Sequence, residues 1–80
     1  MTTLLQAKRA FTETRKAADE TYLNLIAASE SLDRARSEFE LQAAVAAYKL
    51  AGIAHDEATE RVKEARRTWA NLRYGIQQAG

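Results

Sequence analysis

Eighty residues with a formal net charge of +1, 46% hydrophobic and 29% charged, allow one small domain. No cysteine and a single histidine exclude disulfide staples and the usual zinc sites, and no apolar run approaches the roughly 20 residues of a membrane span. Proline is absent and Ala, Glu, Arg and Leu abound, which favours helix throughout, and so small a net charge does not by itself imply a nucleic-acid binder.

The first eight residues place charge after the apolar residues, so they do not read as a signal peptide, and a cytoplasmic location is expected. Thr3 with Gln6 fits a capping box. From there a stripe runs Leu4, Ala7, Phe11, Thr14, Ala18, Thr21, Leu25, Ala28, Leu32, Ala35, at steps of three and four that keep one helix face. Continuing this frame past Phe39 would put Lys49, Asp56 and Glu60 on the stripe, so the frame breaks. Ser37 with Glu40 offers a second capping box at the break. A new stripe then runs Leu41, Ala44, Tyr48, Ala51, His55, Ala58, Val62, Ala65, Trp69, Leu72, Ile76. Gly75 suits the position just past a helix end, with Ile76 as the following apolar contact.

These signals predict an all-α fold. A single domain, 1–80, folds as a long antiparallel two-helix hairpin with Ala-rich heptad packing, helix one over 3–35, a turn at 36–37 and helix two over 38–74. Folding about the turn sets Leu25 against Tyr48, Ala18 against His55, Phe11 against Val62 and Leu4 against Trp69. A break near Gly52, giving a three-helix bundle, is the alternative. One Ala-rich stripe buries little area, so a further buried surface is expected. Tyr22, Leu23, Ile26, Phe39, Val45, Leu50 and Ile53 lie off the stripes in the turn half, and they predict an oligomer interface in a helical-bundle homo-oligomer.

His55 falls on the stripe near Thr14 and Thr21 and reads as a core polar residue hydrogen-bonded to a threonine hydroxyl. Arg9–Glu13, Arg15–Asp19, Lys16–Glu20 and Glu57–Arg61 stand four apart as ordinary surface pairs. Residues 61–80 carry five bases and one acid and residues 1–16 carry four and one, whereas 17–60 carry three and nine, so a basic open end adjoins an acidic body. There Arg66 and Arg73 flank Trp69, with Arg67 and Tyr74 at the same spacing alongside, a partner- or ligand-binding set. A basic helix end beside its own C-terminal dipole is the bland reading of the same residues.

No nucleophile, second base, metal-ligand spacing or cofactor motif is legible, so no enzyme, metal or cofactor is expected. The preferred function is a non-enzymatic oligomeric hairpin, an adaptor or inhibitor that binds another protein, with no membrane involved. The alternative is a binder or sponge of an anionic ligand, nucleotide or nucleic acid, through the Arg/aromatic cluster. Size and shape are compatible with the small helical inhibitors and sponges that phages encode.

Overall fold

The computed structural model describes residues 2–79, and the side chains of residues 2–75. Two helices account for nearly all of them: α1, Leu4–Arg34, and α2, Glu38–Ala79. They fold back on each other as a hairpin, an all-α architecture.

The chain sets its own helix limits. Thr3 caps α1, its Oγ1 accepting from Gln6 N–H at 3.1 Å while Gln6 Oε1 accepts from Thr3 N–H at 2.9 Å. This reciprocal box satisfies two donors that the first turn leaves without partners. α1 stops at Ala35, which is extended at φ −63, ψ 129 and still sends its N–H to the Leu32 carbonyl at 3.3 Å. Ser37 Oγ then accepts from Glu40 N–H at 3.1 Å, as an N-cap should. The Glu40 carboxylate departs from the expected box. It accepts from Arg36 N–H at 2.9 Å, because the extended linker turns that donor toward it.

α2 runs unbroken through both internal glycines, and no glycine among the described residues has positive φ. The break at Gly52 that the alternative required is absent, so the molecule is the expected hairpin and not a three-helix bundle. A helical glycine costs about 1 kcal/mol relative to alanine, less than the loss of the packed layers on either side. Gly75 likewise does not end the helix, because extending a formed helix costs far less than starting one. The expected contact of the Ile76 side chain lies outside the described residues.

Burial follows the two stripes. On α1 every stripe residue from Ala7 to Ala35 is buried or half-buried, and every other described residue is exposed. On α2 the same holds for stripe positions Ala44, Ala51, His55, Ala58, Val62, Ala65, Trp69 and Leu72, while Leu41 and Tyr48 near the turn stay more open. The register differs from the level-by-level pairing expected. Thr21, not Ala18, meets His55, and Phe11, not Leu4, stacks on Trp69. Carrying the Thr21–His55 level along both repeats sets Leu32 against Ala44, Leu25 against Ala51 and Ala7 against Trp69. Large then faces small at these levels, which fills space at a constant helix separation, whereas like against like would alternate wide and narrow layers.

The resulting core is thin. Among the described residues only Ala7, Ala44 and Ala58 are buried, and no large side chain is. The molecule is a rod of 64 × 17 × 13 Å with a radius of gyration of 18.1 Å, against about 12 Å for a compact chain of this length. It exposes 6482 Å², where a compact protein of its mass exposes about 4,800 Å². Among the described residues, no helix is long and apolar enough to cross a membrane.

Candidate functional site: a basic aromatic face

The heptad repeat sorts the surface as well as the core. Lys8 and Arg15 each follow a large stripe residue of α1 by four, and Arg66 and Arg73 do the same on α2. Residues at equivalent heptad positions fall on the same flank of an antiparallel pair, because the two-fold that relates the helices keeps front in front. All four cations therefore share one face of the hairpin, with Lys63 beside them.

The floor of this face is aromatic. Phe11 and Trp69, both half-buried, stack across the seam with centroids 5.5 Å apart and planes tilted by 37°. The Arg15 guanidinium lies 5.6 Å above the Phe11 ring and that of Arg73 5.0 Å above Trp69. Both distances are within the reach of cation–π attraction. The row Arg15–Phe11–Trp69–Arg73 is contributed equally by the two helices. Arg15 turns to Phe11 in place of the expected ion pair with Asp19. Among the described residues the ion pairs are Glu30–Arg34 at 3.8 Å and Glu60–Lys63 at 3.2 Å, both exposed.

The acids are elsewhere. Within 4–16 and 61–75 the carboxylates are Glu13 and Glu64, and both occupy the opposite flank, in line with Glu20 and Glu57. The separation is confined to the open end and is partial, since Arg61 lies on the acidic flank and Asp19 and Asp56 share the cations' flank nearer the turn. A row of cations over apolar rings, of which Lys63 is paired with Glu60, attracts an anionic surface.

Of the residues singled out from sequence, Arg66, Trp69 and Arg73 lie on this face. Arg67 and Tyr74 do not. They fall in the row of α2 that points away from α1, Tyr74 63% exposed. Phe11, Arg15 and Lys8 complete the face from α1 and were missed, since their part in it depends on which residues of the other helix they meet.

His55 sits a little less than halfway along the rod from the turn. Its Nδ1 is 2.9 Å from Thr21 Oγ1, and the Tyr22 ring covers it at 5.7 Å between centroids. It is half-buried, not enclosed. Tyr22 therefore acts within the hairpin. The expected oligomer-interface residues do not form one surface: Tyr22, Ile26 and the half-buried Val45 lie on the basic face's flank, Leu23 on the outside of α1, and Phe39, Leu50 and Ile53 on the far side of α2.

Comparison with known proteins finds no matching family model, no matching curated protein and no matching solved structure.

Proposed function

We propose that this protein is a non-enzymatic interaction module that binds an acidic surface of another protein through its basic aromatic face. The observation that carries the reading is the row Arg15–Phe11–Trp69–Arg73 at the open end, whose arginines lie over aromatic rings and are absent from the ion pairs of the described residues. Arginine and tryptophan dominate protein-binding hot spots because they offer large rigid area and several donors at once. The face is a flat side of a narrow rod, whereas small-molecule sites are concave and enclose their ligand. The acidic body next to it repels a long polyanion laid along the rod and suits a bounded acidic patch.

The test uses two probes, a Glu/Asp-rich peptide and a single-stranded oligonucleotide, titrated against the emission of Trp69, the only tryptophan. Arg66→Ala with Arg73→Ala should leave helicity unchanged and weaken peptide binding about ten-fold or more. Binding of the oligonucleotide alone, with an affinity that collapses as salt rises, would move the assignment to nucleic acid. Binding of neither probe would overturn it.

A further inference from the structure

The open end carries one short pattern twice. Lys8-Arg9 is followed by Phe11 and then Arg15, and Arg66-Arg67 by Trp69 and then Arg73, at identical spacing. Phe11 and Trp69 also hold the same place in their seven-residue repeats. The antiparallel hairpin therefore sets the two copies on one flank, related by a local two-fold that passes between the rings. The side chains obey it. Arg15 lies over Phe11 at 5.6 Å and Arg73 over Trp69 at 5.0 Å, each arginine reaching back four residues to its own aromatic. The rings meet at the axis, 5.5 Å apart, with Lys8 and Arg66 in corresponding places to either side. Among the described residues no ion pair involves Lys8, Arg15, Arg66 or Arg73. The halves differ at Lys63, which corresponds to Leu5 and is paired with Glu60, and at Glu13, which corresponds to Asn71 and lies on the opposite flank.

We infer that the basic aromatic face consists of two equivalent half-sites and takes an extended acidic segment in which two carboxylates flank an apolar residue, read alike in either chain direction. The inference rests on the reading of this face as a site for an acidic protein surface, and it specifies the segment held there. An arginine held over a ring keeps its N–H donors free at its rim, so it offers a carboxylate two of them at little cost in ordering. Each half-site supplies one such fork. Between the forks lie the two half-buried rings, which suit an apolar side chain. Composition along the row is thus base, apolar floor, base, and its complement is acid, apolar, acid.

Distance selects the spacing. Laid end to end, the three separations put the guanidinium carbons at most about 16 Å apart, and four steps of an extended chain cover about 13 Å, the acidic side chains reaching the rest. In such a segment the first, third and fifth residues share one face, so acids at the ends and an apolar residue at the centre all point to the site. Arginines drawn down onto rings stand low on the face, where an extended chain comes closer than a helix, whose axis keeps ~8–10 Å from its neighbours. Reversing the segment exchanges its two acids and leaves each on an arginine.

The probe is a serine peptide, blocked at both ends, with a leucine at its centre and a glutamate two places to either side, titrated at low salt against the emission of Trp69. Two further peptides each carry glutamine for one of the glutamates, and another carries serine for the leucine. The two glutamine peptides should lose affinity equally, about five-fold or more, and the leucine-free peptide should also bind more weakly. Arg15→Ala and Arg73→Ala should each weaken the parent probe about five-fold or more, agree within about three-fold, and keep the helicity of the unmodified chain. A glutamine peptide that binds as well as the parent while the other does not, or an arginine variant without effect, overturns the equivalent half-sites and leaves the acidic-surface reading standing. So does binding of a Glu/Asp-rich peptide when the probe fails to bind. Failure of both the probe and the Glu/Asp-rich peptide overturns the inference and that reading together.

Discussion

Thr21 Oγ1 stands 2.9 Å from His55 Nδ1 and 2.9 Å from the Ala18 carbonyl. A hydroxyl has one proton to donate, and a carbonyl can only accept. Given to Ala18, that proton leaves the threonine oxygen to accept from Nδ1–H, so a neutral ring is the Nδ1–H tautomer, with Nε2 its acceptor nitrogen. The pair is the polar contact that ties one helix to the other, and its value lies in what happens when half of it is removed. Thr21→Val strands the ring nitrogen in a half-buried place and should cost about 1 kcal/mol, a fall in melting temperature of roughly 4–8 °C for a chain of this size. Adding His55→Leu removes the stranded group, so the double variant should melt closer to the parent than Thr21→Val alone; a lower melting point for the double variant would sink the argument. This pair was half legible in advance. A lone histidine on an apolar stripe between threonines signals a polar contact, yet the choice among threonines waits on the register. The basic face shows the same division. Arg66, Trp69 and Arg73 share a helix side by spacing alone, but Phe11 on its own helix reads as plain core and Arg15 as half of a surface ion pair. Arg67 and Tyr74 repeat the arginine–aromatic spacing one row away, and periodicity within one helix cannot say which row looks toward the partner.

At the scale of the element, Gly52 is the weak point of α2. It is half-buried in mid-helix, and apart from its chain neighbours and the nearby backbone of its own helix no atom lies within 4 Å of where a Cβ would stand. Gly52→Ala should therefore stabilise the hairpin by about 0.5–1 kcal/mol, mostly by restricting the unfolded backbone. Thermal unfolding followed by circular dichroism checks this, and a lowered melting temperature would mean that the position needs its glycine. Both helices, the turn and the cap at Thr3 could be read from the break in heptad frame, because stripe and surface separate cleanly in a chain without proline. Two element-level features could not. Gly75 carries the stop signal of a helix end, but context decides whether a glycine ends a helix or is passed over. The register is ambiguous for a deeper reason: sliding one stripe along the other by three residues exchanges large–large for large–small layers while apolar still meets apolar. Only shape and the Thr21–His55 bond distinguish the two.

As a whole molecule the hairpin is nearly one-dimensional. Each layer touches the layers on either side, and nothing distant folds back onto it, as the 64 Å long axis and 13 Å short axis require. The open end is set apart from the turn by sequence, +7 in residues 1–16 and 61–80 together against −6 in 17–60, and in the open half the fold sets Lys8, Arg15, Lys63, Arg66 and Arg73 on the flank opposite Glu13 and Glu64. The paired repeats have a mechanical meaning. Because both helices advance in the same seven-residue step, the hairpin is a ruler graduated in heptads of about 10 Å. Inserting one heptad after Ala17 and another after Ala58, which lie level across the seam, should lengthen the rod by one graduation, visible in small-angle scattering, and leave the emission of Trp69 unchanged. Inserting seven residues in α1 alone should slide Phe11 one graduation away from Trp69 and shift that emission. The spacing between the face at one end and the turn at the other then becomes an adjustable length, written into the chain as a whole number of repeats.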